Sequence, residues 1–302
     1  MTIDEVTIDE VTIHAPNTWR PPLPASRTVH LGERGDLVVR EVAGPPGAPV
    51  LILLHGWTVT SDLNWYPVFD ALGEHYRVIA FDHRGHGAGL RTRGRFRLDD
   101  CADDVAAVAD ALGIERFTAV GYSMGGPIAM LTWLRHRERV DALVLCATSC
   151  RFADERVVRA QLALFRPVSW IARALPQRIG RPMFDKVVEL RTKNRGLEQW
   201  IIDEIGRGDL RLVVEAGTAL RRFDSRGWAT AIGVPVSVVV VDQDTVLPTR
   251  LQNELVTSLR EPHTFHITGD HDVCVRNPEA FTATLLAACE AASPTFERTV
   301  TP

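Results

Sequence analysis

Apolar and polar positions change their spacing repeatedly along the chain, and these changes predict alternating strands and helices. Short, almost wholly apolar runs are typical of strands that are buried on both faces, whereas other segments repeat their apolar residues at helical spacing. Residues 98–112 show the helical pattern, with aspartates in the first turns, where carboxylates favour the positive end of the helix dipole. The alternation predicts an α/β fold, in which a mostly parallel sheet is covered by helices on both faces.

The predicted elements follow one another in a single order. The first two strands, residues 28–31 and 37–42, are predicted to form a hairpin. The later strands are predicted at 50–54, 77–81, 117–120, 140–146, 234–241 and 263–267, and the clearest helices at 98–112, 124–136 and 278–291. A strand, a turn, a helix and a further strand therefore succeed one another between residues 117 and 146.

The alternation stops between about Ser149 and Arg226, where helical segments follow one another without a convincing strand. We predict that residues 149–226 form a helical cap, inserted into a core made of residues 25–148 and 227–302. The cap carries 16 Lys and Arg against 10 Asp and Glu, so its surface is predicted to be basic. Solvated, arginine-rich helices are sufficient to explain this charge.

Residues 1–24 differ from the rest of the chain. Two identical blocks of five residues, 2–6 and 7–11, precede a proline-rich stretch. A five-residue period matches no solenoid, so we predict a mobile leader, with an edge strand as the alternative because apolar and polar residues alternate there. The leader shows neither the basic region nor the continuous apolar region of a signal peptide.

Composition gives no support for a nucleic-acid-binding, membrane-spanning, zinc-binding or disulfide-rich protein. The chain has 302 residues, enough for a sizeable core, with 45% hydrophobic residues, 24% charged residues and a net charge of −4. This ordinary balance gives no indication of a nucleic-acid partner. No run approaches the roughly 18 apolar residues of a membrane span, and the five scattered cysteines have neither zinc-site nor disulfide spacing. We therefore expect a cytoplasmic protein without a membrane span or a metal site.

The segment Gly121-Tyr122-Ser123-Met124-Gly125 carries the first candidate chemistry. Glycines two positions before and after a serine suit a sharp turn between a strand and a helix, because side chains there would collide with neighbouring chain segments. The motif alone is weak, but the apolar strand before it and the helix after it favour a nucleophile elbow. The alternative is a phosphate-binding turn, for which the phosphate-loop lysine and the dinucleotide glycine spacing are absent.

A serine nucleophile needs a base that titrates near neutral pH, which favours histidine, and an acid that orients this base. His271 follows the last predicted strand, and Asp242 and Asp244 follow the strand before it. Either aspartate preserves the chain order serine, aspartate, histidine. We favour Asp244, because it reaches further beyond the apolar strand and Pro248 restricts the loop after it, whereas Asp242 is expected to hydrogen-bond the backbone of its own loop.

His55-Gly56, the loop 82–87, the serine elbow and the two C-terminal segments resemble, in content and order, the α/β-hydrolase superfamily. The resemblance covers the chain apart from the leader and the cap. It implies an eight-stranded, mostly parallel sheet with helices on both sides and an inserted cap. It also implies that Ser123, His271 and Asp244 form a catalytic triad.

The same resemblance implies an oxyanion hole made by the backbone N–H groups of Trp57 and Met124. Attack on an ester carbonyl creates an alkoxide, which fixed donors must stabilise. The side chain of Trp57 is free to pack as a core or rim aromatic, because only its N–H is needed.

Other titratable residues near these motifs are expected to be structural. His55 follows a strand in the first turn, and His83 and His86 belong to a loop that resembles the family's Asp-x-Arg-Gly-x-Gly loop, which is usually structural. Asp270 and Asp272 flank His271, and residues adjacent in sequence usually direct their side chains elsewhere.

Taken together, the residues and the resemblance predict a serine hydrolase that cleaves a small carboxylic ester, thioester or lactone through an acyl-enzyme, without metal or organic cofactor. A nonpolar acyl part is indicated by apolar cap residues, most of which otherwise pack cap against core: Leu162, Leu164, Phe165, Trp170, Met183, Phe184 and Trp200. A cofactor-free haloperoxidase or perhydrolase, a carbon–carbon bond hydrolase and a non-catalytic ligand-binding protein are the alternatives. Epoxide hydrolases and dehalogenases fit less well, because such members generally carry aspartate at the position of Ser123.

Overall fold

The computed structural model describes residues 20–152 and 199–293 of the chain. Its strands, in chain order, are β1 Ser26–His30, β2 Asp36–Val42, β3 Val50–Leu54, β4 Arg77–Phe81, β5 Phe117–Tyr122, β6 Val140–Cys146, β7 Val236–Val241 and β8 His263–Ile267. They form one sheet with the order β1-β2-β4-β3-β5-β6-β7-β8. β1 and β2 form an antiparallel hairpin, β2 is also antiparallel to β4, and the remaining pairs are parallel. The predicted fold class is therefore confirmed.

Helices lie on both faces of this sheet. The described helices, in chain order, are α1 Ser61–Trp65, α2 Phe69–Gly73, α3 Leu98–Ala111, α4 Gly125–Arg135, α5 Gln199–Gly206, α6 Leu210–Arg222, α7 Thr249–Ser258, α8 Val273–Arg276 and α9 Pro278–Ala292. Among them, none has the length and apolar character that a membrane crossing requires.

The sheet separates two apolar cores. Ile52 and Leu54 of β3 contribute to the core beneath α3 and α4, whereas Leu51 and Leu53 contribute to the core beneath α2 and α9. This alternation follows from the two-residue period of a strand, whose successive side chains point to opposite faces. Because β3 is covered on both sides, its sequence is apolar at every position.

Several strands have ends that differ from the predicted ones, because backbone hydrogen bonds set where a strand begins and ends. β5 continues through Gly121 and Tyr122, which still pair with β6, so the first half of the elbow motif is strand. β7 begins at Val236 rather than at residue 234, because Pro235 has no N–H to donate to a neighbouring strand. The helices α1 and α2 are missing from the sequence-based prediction, since five residues are too few to show a helical period.

The two described ends of the predicted cap lie beside each other. Arg151 and Asp224 form an isolated antiparallel bridge, and the Ser225 N–H donates to the carbonyl oxygen of Cys150 at 2.9 Å. The helices α5 and α6 lead back to this point. The cap over residues 149–226 and the leader over residues 1–24 stay predictions, because residues 153–198 and 1–19 lie outside the described residues.

The turn from β5 into α4 is packed too tightly for side chains at its glycines. A Cβ on Gly125 would overlap the carbonyl group of Leu54, and a Cβ on Gly121 would overlap the carbonyl group of Gly125. We therefore expect Gly125→Ala to lower the free energy of unfolding by about 2 kcal/mol or more, measured by urea denaturation.

Gly233 is the matched control for this substitution, because a Cβ there would meet nothing within 4 Å. Gly233→Ala should change the free energy of unfolding by less than about 0.5 kcal/mol. Equal stability of the two variants would contradict the close packing of the turn.

Candidate active site

Ser123 lies on the turn between β5 and α4, at the carboxyl end of the central strands. Its φ of 51° falls in the left-handed region, which residues other than glycine rarely occupy. The Ser123 N–H donates to the carbonyl oxygen of Cys146 at 2.9 Å, and its own carbonyl oxygen accepts from the Gly126 N–H and from the Thr148 hydroxyl, at 3.0 and 2.8 Å. Hydrogen bonds from β6, α4 and the segment after β6 thus hold the strained turn.

The side chains of the three predicted triad residues meet at this turn. His271 Nε2 lies 2.9 Å from Ser123 Oγ, and His271 Nδ1 lies 2.6 Å from Asp244 Oδ2. A carboxylate oxygen can only accept, so this arrangement assigns the proton to Nδ1 and leaves Nε2 free to accept the serine proton. The geometry therefore puts a base within reach of a hydroxyl group, with a carboxylate behind the base.

The side chain of Asp244 is completely buried. Its Oδ1 accepts from the backbone N–H groups of Val246 and Leu247, at 2.9 and 2.6 Å. Its Oδ2, which faces His271, also accepts from the side-chain amide of Gln252 at 3.0 Å. A buried carboxylate is costly without hydrogen-bond donors, and these donors both compensate the burial and fix the direction of the carboxylate.

The competing aspartate, Asp242, has a different partner. Its Oδ1 lies 2.8 Å from Nδ1 of His266, and both side chains are partly exposed. The sequence favours a hydrogen bond from Asp242 to its own loop, but the pairing of β7 with β8 continues through the Asp242 N–H and the Ile267 carbonyl oxygen, which keeps Asp242 beside β8. Of the two aspartates, only Asp244 contacts His271 among the described residues.

Two backbone N–H groups, in the turn after β3 and in the turn that carries Ser123, have no acceptor among the described residues. They belong to Trp57, in the turn after β3, and to Met124, which immediately precedes α4 at the positive end of its helix dipole. The turn after β3 approaches the serine closely, since a Cβ on Gly56 would lie 3.5 Å from the Ser123 Cβ. Thr58 in the same turn has a φ of 66°, a strained conformation for a β-branched residue. The arrangement suits the stabilisation of negative charge beside the serine.

The side chain of Trp57 packs against helix α6. Its indole N–H donates to the carbonyl oxygen of Val213 in α6 at 2.7 Å. Its ring occupies the space beside Gly217, where a Cβ would overlap it. The Trp57 ring therefore packs as a rim aromatic, as the sequence analysis allows. This packing does not use the backbone N–H of Trp57.

Two further residues hold this site and are missed by sequence reasoning. The buried side chain of Asn64 accepts the Gly56 N–H at 2.8 Å, and the Tyr122 hydroxyl donates to the His271 carbonyl oxygen at 2.7 Å. Tyr122 stands within the elbow motif, which is a signal that could have been used. Asn64 lies in the short helix α1, and nothing in the local sequence marks it.

His55, His83 and His86 form a buried cluster behind the turn after β3. The His55 ring lies 4.3 Å from that of His83 and 5.3 Å from that of His86, measured between ring centroids. His55 Nδ1 lies 2.7 Å from the Gly56 carbonyl oxygen, and its Nε2 accepts the His83 N–H at 2.8 Å. Burial lowers the pKa of His55 to about 4 and that of His86 to about 3, and burial together with the neighbouring imidazoles lowers the pKa of His83 well below its usual value. The structural role expected of these histidines agrees with these contacts.

The loop 82–87 also makes structural contacts. Asp82 accepts the backbone N–H groups of Ser61 and Ala88 at 2.6 and 2.7 Å. The guanidinium group of Arg84 forms two bonds to the carboxylate of Asp104, at 2.8 and 2.7 Å. Within residues 20–152 and 199–293, no group of three or more His, Cys, Asp or Glu side chains is arranged to hold a metal ion.

The chain is similar to a known family and to several known proteins. The family model of the alpha/beta hydrolase fold matches residues 49–173. A putative carbamate hydrolase, RutD, of Caulobacter sp. (strain K31) is 30% identical over 260 residues, which cover 83% of this chain and 95% of the relative. A bifunctional esterase/perhydrolase, DCH, of Acinetobacter calcoaceticus is 43% identical over 84 residues, which cover 28% of this chain and 30% of that protein. The crystal structure of the enol-lactonase from Burkholderia xenovorans LB400 has a TM-score of 0.70 and 24% identity, covering 88% of this chain and 98% of that chain.

The different surroundings of the two aspartates predict different effects of the same substitution. Asp244→Asn replaces the oxygen that faces His271 by an amide and favours the wrong histidine tautomer, so kcat for an ester substrate should fall by about 10⁴-fold. Asp242→Asn removes only a surface pairing with His266 and should leave kcat within about threefold of wild type. A crippled Asp242→Asn variant beside an active Asp244→Asn variant, both with wild-type thermal unfolding, would reverse the assignment.

The buried histidine cluster predicts a loss of stability in acid. Because the folded-state pKa values lie below the value of about 6.5 in an unfolded chain, the unfolded chain binds more protons below that pH. The stability is therefore complete above about pH 6.5 and is lost as the pH falls towards the folded-state values. Removing one such histidine by His83→Phe should reduce the slope of unfolding free energy against pH by up to about 1.4 kcal/mol per unit between about pH 5 and pH 6. Urea denaturation at several pH values measures this slope, and an unchanged slope would be inconsistent with a neutral, buried His83.

Proposed function

The chain belongs to the α/β-hydrolase fold family and is an enzyme, and on this basis we propose that it is a serine hydrolase in which Ser123, His271 and Asp244 act together. The hydrogen-bonded row from Ser123 through His271 to Asp244 carries this proposal. Each of the three side chains follows a different strand of the sheet, and each is held by backbone or side-chain hydrogen bonds. A surface contact formed by chance would not show this convergence.

The first chemical step is the attack of Ser123 on a carbonyl carbon. His271 Nε2 accepts the proton of the serine hydroxyl while Oγ forms a bond to the carbonyl carbon. His271 then carries two ring protons, and Asp244 stabilises the resulting imidazolium. The imidazolium returns one proton to the leaving alcohol or thiol as the bond to that group breaks, which leaves an acyl group on Ser123.

The second step is hydrolysis of this acyl-enzyme. His271 accepts a proton from a water molecule, and the water oxygen attacks the acyl carbon. The serine oxygen leaves with the proton that His271 held, so the enzyme returns to its starting state with a free carboxylic acid as product. In both steps the carbonyl oxygen gains negative charge, and the N–H groups of Trp57 and Met124 are the donors proposed to stabilise it.

We propose carboxylic esters, thioesters and lactones as the substrate class. The proposed chemistry requires an electrophilic carbonyl carbon and a leaving group that His271 can protonate, which all three provide. A carbamate has the same two features, and the relative from Caulobacter sp. is named as a putative carbamate hydrolase. A carbamate therefore belongs in the panel of test substrates.

A nonpolar acyl part remains a proposal that rests on the composition of the cap. Of the seven apolar cap residues, six lie within 153–198, outside the described residues. Trp200 is 4% exposed and packs against Leu63, with its ring edge-on to Tyr66 at 5.5 Å between centroids. Its packing between cap and core argues against a direct role in acyl selection.

A perhydrolase is the second candidate, because one relative is named as a bifunctional esterase/perhydrolase. In that reaction hydrogen peroxide in place of water would attack the acyl group on Ser123, giving a peracid. A carbon–carbon bond hydrolase would use the same three residues. The non-catalytic alternative is not supported, since the relatives are named as enzymes.

A cytoplasmic location also remains a proposal. All five cysteines lie in the described part of the chain, are buried and form no disulfide. Burial raises the pKa of the Cys274 thiol to about 12, which keeps it in the unreactive protonated form. Such thiols are compatible with a reducing compartment.

The proposed nucleophile predicts the outcome of covalent labelling. A fluorophosphonate probe should attach to Ser123 of the wild-type protein, and Ser123→Ala should abolish the labelling and lower kcat by about 10⁶-fold, because the triad acts as a unit. Mass spectrometry of the labelled peptide and turnover on ester, thioester, lactone and carbamate substrates measure both effects.

Ser237→Ala is the matched control, because Ser237 is also a buried serine but lies within β7, and its hydroxyl has no hydrogen-bond partner among the described residues. This variant should label and turn over as wild type does. Labelling that persists in Ser123→Ala, or wild-type protein that neither labels nor hydrolyses any of the four substrate types, would reject the proposed function.

A further inference from the structure

Asp270 connects the two loops that carry Asp244 and His271. Its Oδ1 accepts the backbone N–H of His271 and the backbone N–H of Thr245, each at 2.7 Å. The Thr245 hydroxyl lies 2.8 Å from Oδ1 and 2.9 Å from Oδ2 of the same carboxylate. One end of this contact is Thr245, which directly follows Asp244, and the other end is the backbone of His271 itself. Both ends therefore belong to, or adjoin, a proposed triad residue.

The contact lies where backbone pairing between the two loops ends. Beyond β7 and β8, the ladder continues with bonds from the Asp242 N–H to the Ile267 carbonyl oxygen and from the Gln243 N–H to the Gly269 carbonyl oxygen, at 3.0 and 3.1 Å. No later backbone hydrogen bond joins these two loops within the described residues. Beyond this point, the carboxylate of Asp270 joins the two loops through its hydrogen bonds to Thr245 and His271. These bonds set the distance between the loop that carries Asp244 and the loop that carries His271.

We propose that Asp270 is a positioning residue, which holds the acid loop and the histidine loop at the spacing that aligns His271 between Asp244 and Ser123. The inference rests on the proposed serine-hydrolase function, and it adds a residue that the triad motif does not include. Asp270 touches neither the reacting hydroxyl nor, by its side chain, the imidazole ring. Its effect therefore passes through the backbone of His271 and through Thr245.

The charge of Asp270 agrees with this role. Partial burial acts to raise its pKa, but the hydrogen bonds from Thr245 and His271 outweigh the burial and lower the pKa. The carboxylate form, which has acceptor sites for all of these donors, is therefore the form that the contact stabilises. A hydrogen bond to an ionised acceptor is stronger than one between neutral groups, which suits a contact that is partly exposed to water.

Asp272 provides a matched comparison. It is as far from His271 in sequence as Asp270 is and carries the same charge, but its carboxylate lies 2.7 Å from the guanidinium group of Arg276, within one turn of helix α8. In the described part of the chain, the hydrogen bonds of Thr245 go to Asp270 and none goes to Asp272. A general effect of negative charge next to His271 would appear in both variants, whereas loss of the loop connection would appear in only one.

The test compares Asp270→Ala, Asp270→Asn and Asp272→Ala with wild type, using kcat and KM for a p-nitrophenyl ester and the rate of Ser123 labelling by a fluorophosphonate. Asp270→Ala should lower kcat and the labelling rate by about 10- to 100-fold, because small displacements of catalytic groups have effects of this size. KM should change by less than about threefold, since no substrate contact is removed. Asp272→Ala should stay within about threefold of wild type in all three quantities.

Asp270→Asn separates the hydrogen bonds from the charge. Its side-chain oxygen still accepts both N–H groups, and its amide can donate to the Thr245 hydroxyl, so activity should return to within about fivefold of wild type. If Asp270→Ala unfolds, Thr245→Val replaces it, because this variant removes the hydroxyl and keeps the backbone bond; its kcat should fall by about threefold to tenfold.

The proposal is overturned if Asp270→Ala and Asp272→Ala have equal kcat, or if Asp270→Asn is as slow as Asp270→Ala. It is also overturned if Thr245→Val has wild-type activity. These results differ from failure of the proposed function itself, in which the wild-type protein would show neither turnover nor labelling of Ser123.

Discussion

The left-handed backbone of Ser123 is the constraint on which the site depends. A serine at a φ of 51° is unfavourable by itself, so the surrounding structure must impose it. β5 ends directly before the serine and α4 begins two residues after it, while the glycines on both sides allow the neighbouring backbone to approach. The consequence is that the Ser123 hydroxyl lies within reach of His271, and Met124 stands next to it at the start of α4.

The parallel sheet supplies the other groups because its strands share one carboxyl edge. The turn after β3, the elbow after β5, and the loops after β7 and β8 all leave from this edge, which is where ligands bind in open α/β sheets. His271 and Ser123 are 148 positions apart in sequence, and His271 and Asp244 are 27 apart. Residues so far apart in the sequence keep a fixed geometry only if other residues hold the loops that carry them. Gln252 supports the carboxylate, Tyr122 the histidine backbone and Asn64 the turn after β3.

The sequence predicts those features of the fold and the site that depend on residues close together along the chain. The runs at Val50–Leu54 and Val140–Cys146 predict strands with the observed bounds, because burial on both faces favours apolar residues, and the second run has only Asp141 as a charged residue, near its start. The glycine spacing around Ser123 predicts the elbow because close backbone approach excludes side chains. The position of Asp244 beyond the apolar strand and before Pro248 favours it over Asp242 as the proposed acid, although the contact of Asp242 with His266 was not foreseen.

The remaining features depend on long-range packing, which has no local signature. Asn64 reaches Gly56 from a five-residue helix, and Gln252 reaches Asp244 from one side of α7. Asp270 was expected to point away from the site, as a sequence neighbour of His271 usually does. Its carboxylate instead bonds the histidine backbone and Thr245, a conformation that depends on how β7 and β8 end side by side.

The most direct test of the central claim is a crystal structure of the protein after reaction with a phosphonate. The account predicts a covalent bond from phosphorus to Ser123 Oγ, with a phosphonyl oxygen about 2.7–3.1 Å from the backbone nitrogens of both Trp57 and Met124. His271 should remain in contact with Asp244. A phosphonate attached to another residue, or a phosphonyl oxygen directed away from both nitrogens, would contradict the account.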